Sequence, residues 1–133
     1  MTAVFPTLFD PGFRLEDGSQ LNSVLAVPQV ASEDAITATG TNQATAYQLS
    51  AVISHVTTAA ASTGVKLPSG RAGRMVFVFN DGANPIQVYS RDTATIDGTA
   101  GATGVALTNA KRCAYFAVAE GVWISAQLGV VSA

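Results

Sequence analysis

The hydrophobic positions of this chain recur in short alternating runs rather than in helical stripes. Beyond Ser32, β-branched and aromatic residues come in brief stretches that Gly, Asn, Asp and Pro interrupt. This pattern predicts short β-strands separated by turns. The predicted strands cover 35–39, 44–49, 52–58, 64–67, 74–80, 85–90, 104–108, 112–118 and 122–127. Strands of this length and spacing are typical of a β-sandwich or barrel, so we expect one all-β domain with about 8–9 short strands.

Two segments predict hairpin turns. Segment 80–85 reads NDGANP and separates two predicted strands, and its Asp81-Gly82 pair favours the positive φ angles of a tight turn. Ala119-Glu120-Gly121 predicts a second hairpin between the last two strands. In strand 74–80 apolar residues occupy both alternating sets of positions, which indicates a central strand or one covered on both faces.

The segment 92–104 is too rich in glycine and too long for a tight turn. Its glycines are Gly98, Gly101 and Gly104, with small residues between them. This spacing matches neither a Walker loop nor a dinucleotide fingerprint. We therefore expect an extended excursion from the domain with Ile96 directed inward.

Residues 1–34 differ from the rest and predict an extended arm, followed by a β-module at 35–133. Phe5, Phe9 and Phe13 lie among Pro6, Pro11 and Gly12, which prevent a continuous helix. One short helical turn is predicted after Asp17-Gly18-Ser19, where Leu21, Val24 and Leu25 follow at helical spacing. The arm's apolar residues favour docking on a neighbouring surface, while folding back over the chain's own domain remains an alternative.

Charge is scarce in this chain. Charged residues make up 12% of the sequence, about half the usual share. A free monomer normally keeps a more charged surface, so we expect other subunits to cover much of it; a soluble Thr-rich β-protein is the alternative. The net charge of −2, with seven scattered basic residues, argues against a nucleic-acid partner.

Several other classes of site and segment are not expected. The single cysteine, Cys113, excludes an internal disulfide, and with His55 as the only histidine no zinc motif exists. We therefore expect neither a metal nor another cofactor. No apolar run approaches the length of a membrane span, and the residues before Arg14 lack the features of a signal peptide, so we expect no membrane partner and an origin inside the cell.

The residues that could support catalysis also have structural explanations. His55 lies in an alternating strand run and Cys113 in an apolar run, with no nucleophile motif near either. Asp17, Asp81 and Asp97 each precede glycine, as turn residues do. The adjacent pair Glu33-Asp34 is expected to cap or solvate the start of the first strand. The sequence therefore predicts that the chain is not an enzyme.

Four basic residues converge only if strands 74–80 and 112–118 are neighbours. They are Arg71, Arg74, Lys111 and Arg112. Because four charges do not make a nucleic-acid patch, ion pairs with a partner are the expected use of these side chains.

Three sequence motifs resemble those of small structural proteins of tailed bacteriophages. The first is an RLxDGxxLN-like segment at 14–22, the second an LPxxxAG turn at 67–73, and the third an NxGANxxxVY hairpin at 80–89. The resemblance spans nearly the whole chain. Its motifs are structural rather than catalytic.

The resemblance implies a non-enzymatic virion protein, a capsid decoration or cement protein that binds and stabilises the assembled capsid. It implies a homotrimer on the capsid surface, made in the host bacterial cytoplasm, with the major capsid protein as its partner. Within the arm, the expected partner-binding residues are Phe5, Leu8, Phe9, Phe13 and Arg14.

The alternative function is a tail or fibre component that binds a host-surface glycan. Glycan sites favour exposed aromatic side chains, and the candidates here are Tyr89, Tyr115 and Trp123. All three lie within predicted strands. A place in the core or at a subunit interface is therefore the favoured expectation for them.

Overall fold

The computed structural model describes residues 29–129, which form two β-sheets without a helix. The all-β prediction is confirmed, and no helix able to span a membrane occurs within this part of the chain. The strands are β1 (Ser32–Thr37), β2 (Tyr47–Gln48), β3 (Ile53–Thr58), β4 (Gly64–Lys66), β5 (Met75–Asn80), β6 (Ile86–Tyr89), β7 (Thr95–Ile96), β8 (Thr99–Ala100), β9 (Val105–Leu107), β10 (Lys111–Ala119) and β11 (Val122–Gln127).

The chain winds as a solenoid over its first six strands. The seven-stranded sheet has the order β1-β3-β5-β10-β11-β7-β8, and the four-stranded sheet has the order β2-β4-β6-β9. Successive strands from β1 to β6 alternate between the two sheets. Within each sheet the neighbouring strands pair in parallel: β1 with β3, β3 with β5, β2 with β4, and β4 with β6. The predicted sandwich or barrel is therefore corrected to solenoid-like stacking. Each strand still buries one face, which is why the same alternating pattern arises.

One of the two predicted hairpins is wrong. Strands β5 and β6 belong to different sheets, so segment 80–85 is a corner between sheets. The buried side chain of Asn80 holds this corner, since its Oδ1 accepts the Gly82 N–H at 3.0 Å and its Nδ2 donates to the carbonyls of Asn84 and Leu107. The other hairpin is confirmed: β10 and β11 pair antiparallel, and Gly121 has φ 71°.

The predicted strand positions agree with the structure at all nine places, with shifts at their ends. The first strand begins at Ser32 rather than at 35, because polar residues on an edge strand give little local signal. Segment 92–104 contributes the short pair β7 and β8, and Ile96 is fully buried as expected. The part of the predicted arm up to Pro28, including the predicted helical turn, lies outside the described residues.

The core lies between the two sheets. It includes Cys113, which is buried as expected for a small core residue, and the aromatic residues Tyr115 and Trp123. Strand β5 is central, between β3 and β10, as its sequence predicted. Its second apolar face points away from this core, so the described chain leaves that face partly exposed.

Candidate functional site

The outer face of the seven-stranded sheet carries a continuous group of exposed apolar side chains. We call this group the apolar band. Its members and their exposed fractions are Met75 (45%), Phe116 (37%), Val118 (59%), Val122 (38%) and Ile124 (43%). Exposed apolar groups that are contiguous on a sheet mark interaction sites on soluble proteins.

Strand register explains why these residues meet. Phe116 on β10 lies opposite Met75 on β5 and opposite Ile124 on β11. Its neighbours in sequence, Tyr115 and Ala117, point inward and are buried. Phe116 also meets Phe77 edge-to-face, with ring centres 6.4 Å apart. The central strands therefore bury one apolar face in the core and present another outward.

The free energy gained by covering the apolar band is comparable with the cost of association only when two bands cover each other. Full burial of a large apolar side chain stabilises by about 1.5–3 kcal/mol, so covering half of each of five side chains contributes about 4–7 kcal/mol per copy. Association costs about 4–15 kcal/mol in lost freedom of motion. The free energy from covering one band therefore matches only the low end of this range, whereas two bands that cover each other offset most of the cost.

A charged cluster occupies the other end of the same sheet face. We call Asp34, His55, Asp81 and Arg112 the His55 cluster. His55 Nδ1 lies 2.6 Å from Asp34 Oδ1, and its Nε2 lies 2.8 Å from Asp81 Oδ2. Arg112 Nη2 donates to both oxygens of Asp81, at 2.8 and 3.0 Å. The Arg112 guanidinium also lies 5.5 Å from the centre of the Phe79 ring, which places a cation against an aromatic side chain.

A β-bulge in the edge strand directs Asp34 toward His55. Asp34 and Ala35 together lie opposite His55, because Glu33 pairs with Ser54 and Ile36 with Val56. Ala35 has φ 59°, an uncommon angle for a residue with a Cβ atom. Asp34 Oδ1 accepts the Ala35 N–H at 2.7 Å, which stabilises the bulge. The predicted role of Glu33-Asp34 as a strand cap is therefore corrected: Asp34 binds His55, and Glu33 accepts the Tyr47 hydroxyl.

The contacts in the cluster favour the charged forms of His55, Asp34 and Asp81. Hydrogen bonding to Asp81, and then to Asp34, raises the pKa of His55 above its ordinary value of 6.5. Hydrogen bonding to His55 lowers the pKa of Asp34 and of Asp81 below 3.8. The Ala35 N–H lowers the pKa of Asp34 further, and Arg112 lowers that of Asp81 further. Both ring nitrogens of His55 face carboxylates, so neither is directed at a nucleophile. The cluster is therefore a set of ion-paired side chains at the surface.

The described residues offer little for other chemistry. Within residues 29–129 no three His, Cys, Asp or Glu side chains converge in a way that would hold a metal ion. An open hollow of about 530 Å³ beside the His55 cluster has the apolar residues Ile53 and Phe79 in its wall. The cluster and the apolar band together thus form one surface, charged at one end and apolar over the rest.

The structure places the residues singled out in the sequence in different locations. Phe5, Leu8, Phe9, Phe13 and Arg14 lie outside the described residues. Tyr89, Tyr115 and Trp123 are buried, as expected for core residues. They therefore present no exposed ring on which a sugar could stack.

The four basic residues do not converge. Strands β5 and β10 are indeed neighbours, but they run antiparallel, with Arg112 opposite Phe79. Arg74 lies at the far end of the pair, where its carbonyl accepts the Ala117 N–H. Arg112 therefore pairs with Asp81 of its own chain, and Arg74 donates to Ser69.

Sequence reasoning anticipated a second apolar face only for strand 74–80, and it missed the rest of this surface. A local signal existed for the apolar band, since Phe116, Val118, Val122 and Ile124 alternate with residues that are equally apolar or small. No local signal existed for the His55 cluster, whose members come from four separate segments.

Comparison with family models, with curated proteins and with solved structures finds no match to this chain.

The His55 cluster predicts a pH-dependent stability. The contribution of a raised His55 pKa is fully present below pH 6.5 and is lost as the pH rises through the folded-state value. The contribution of the lowered carboxylate pKa values is present above 3.8 and is lost as the pH falls below it. We therefore expect the melting temperature to be higher near pH 5.5 than near pH 8.5.

Substitution of His55 provides the measurement. In His55→Gln, calorimetric melting curves should show a smaller difference between the two pH values than in the wild type. Thr57→Gln, an exposed change on the same strand, serves as the control and should keep the wild-type profile. Equal pH profiles for His55→Gln and the wild type would contradict this role.

Proposed function

We propose that this chain is a non-enzymatic structural protein of a tailed-bacteriophage particle, a capsid decoration or cement protein. In this proposal it forms a homotrimer on the capsid surface and binds the major capsid protein. The observation that carries the proposal is the apolar band, because a rigid sheet with an exposed apolar face suits a subunit built into a larger assembly. The three motifs that resemble phage structural proteins support the virion as that assembly.

The two parts of the chain have different roles in this proposal. The β-module supplies the oligomer, while Phe5, Leu8, Phe9, Phe13 and Arg14 supply the contact with the capsid. Several arms in one oligomer engage the shell together, and such linkage raises the overall affinity well above that of a single arm. A protein that binds only the assembled shell stabilises the shell by mass action.

Deletion of residues 2–13 tests the contact with the capsid. We expect the truncated protein to keep its fold, reported by the fluorescence of buried Trp123, but to lose binding to undecorated particles in a co-sedimentation assay. Burial of each phenylalanine contributes about 1.5–3 kcal/mol, so loss of three such residues per arm weakens binding by orders of magnitude. Truncated protein that saturates the particles with wild-type affinity would show that the arm is not the anchor.

Particle stability and copy number test the proposed function as a whole. Undecorated particles should release DNA at a lower temperature than decorated ones, and purified protein should restore the difference. Quantitative mass spectrometry of virions should give many copies, as for a capsid component. A handful of copies per virion, with equal DNA-release temperatures, would instead favour the tail or fibre alternative with its glycan ligand.

A further inference from the structure

We propose that the apolar band is the surface through which copies of this chain associate, with the band of each copy packing against the bands of its neighbours. This inference deepens the proposed function, since it names the interface of the oligomer. It concerns the purified chain without a capsid. It therefore fails or succeeds independently of binding to the major capsid protein.

Two features of the seven-stranded sheet oppose association by strand addition at β1 and along β11. At one side, the bulge at Asp34 and Ala35 interrupts the regular pairing of β1. Near the other side, Asp97 accepts the Ser125 N–H at 2.8 Å and the Ser125 hydroxyl at 2.5 Å, so its carboxylate covers part of the free edge of β11. Bulges and inward-facing charges of this kind protect sheet edges from pairing with another chain. These two features favour the outer face over strand addition at β1 or β11 as the route of association.

The distribution of charge favours a second copy as the occupant of this face. The charged residues next to the band along the chain are one of each sign, Arg74 before Met75 and Glu120 between Val118 and Val122. At the other end of the face, each carboxylate of the His55 cluster already has a cationic or imidazole partner in the same chain. The face therefore carries no excess of one charge that would favour a strongly charged partner. With a net charge of only −2, two copies approach each other without strong repulsion.

The anatomy of the face matches that of a protein interface. An apolar centre with charged groups at its margin is the usual arrangement, because the centre excludes water while the rim stays hydrated. Here Met75, Phe116 and Ile124 form the centre, and the His55 cluster forms part of the margin. A second copy supplies the equally apolar surface that makes covering the band favourable.

Sedimentation velocity of the full-length chain at micromolar concentration tests the proposal. We expect an oligomer for the wild type, and for Ile124→Asp a dissociation constant at least 100-fold higher, because the interface would bury an unpaired carboxylate. Trp123 points to the opposite side of β11, so its fluorescence reports folding separately from association.

A matched pair of alanine substitutions keeps the test decisive if Ile124→Asp fails to fold. Ala126 is exposed on the outer face of the seven-stranded sheet, and Ala106 is exposed on the outer face of the four-stranded sheet. Ala126→Asp should weaken association at least tenfold, whereas Ala106→Asp should leave it unchanged. Equal weakening by both would indicate a general charge effect and overturn the proposal.

Two further results would overturn it. One is a wild-type chain that remains monomeric at micromolar concentration. The other is a loss of association on deletion of residues 2–13, since the interface would then involve the arm. Retained association in that deletion, together with a monomeric Ile124→Asp, supports the band as the interface.

Discussion

Replacing Trp123 with alanine is expected to lower the free energy of unfolding by about 3–5 kcal/mol. The indole is fully buried in the core, where β11 meets the loop around Gly70. Removal of this side chain loses its burial and leaves a cavity that the surrounding strands fill only in part. The total free energy of unfolding of a domain is about 5–15 kcal/mol, so this loss is a large share of it. The midpoint of urea unfolding, followed by far-UV circular dichroism, should therefore move to a much lower urea concentration.

Trp123→Phe is the matched control for this prediction. The indole Nε1 is buried and finds no acceptor within residues 29–129. Phenylalanine loses some buried area but also removes an unsatisfied donor, which costs about 1–3 kcal/mol when buried. We expect the phenylalanine variant to lose less than half of what the alanine variant loses. Equal losses would show that the buried aromatic area is not the source of the stability.

Asn80→Ala is expected to lower the free energy of unfolding by about 3 kcal/mol or more. The Asn80 side chain makes three hydrogen bonds, at 3.0 Å each, to Gly82, Asn84 and Leu107. Its loss leaves their backbone groups without these partners, at about 1–3 kcal/mol for each group that stays buried. Urea denaturation should detect the change directly.

The same substitution should disturb the His55 cluster. Asn80 shapes the corner that places Asp81 beside His55 and Arg112. In Asn80→Ala we therefore expect a weaker dependence of the melting temperature on pH than in the wild type. Asn84→Ala, which removes one side-chain hydrogen bond to the Ala59 carbonyl, is the control and should cost about 1–2 kcal/mol with an unchanged pH profile. An Asn80 variant no less stable than the Asn84 variant would contradict the importance of this corner.

The positions of the strands were predictable because their signals are local. Alternating β-branched and aromatic residues, bounded by turn formers, mark a strand whichever sheet it joins. The inward direction of Ile96 and the burial of Trp123 followed from the same reasoning. The hairpin at Gly121 was predictable because a short turn joins strands that are adjacent in sequence.

The winding of the chain was not predictable from these patterns. A strand that buries one face looks the same in an antiparallel sandwich and in a parallel solenoid, because alternation records burial and not the pairing partner. The segment between β5 and β6 illustrates this point. Its Asp81-Gly82 pair fits a hairpin, yet Asn80 binds groups in its own corner and in the distant β9, and the chain passes to the other sheet.

The sequence by itself thus determined the all-β class, the strand positions, the buried aromatic residues and the low surface charge. Tertiary structure alone decided the surface on which the functional proposal depends. Asp34, His55, Asp81 and Arg112 become neighbours only because β1, β3, β5 and β10 lie side by side, and Phe116 meets Met75 and Ile124 only through strand register. The physical reason is that backbone propensity and alternation act over a few residues, whereas a surface is assembled by pairing between strands that are distant in sequence.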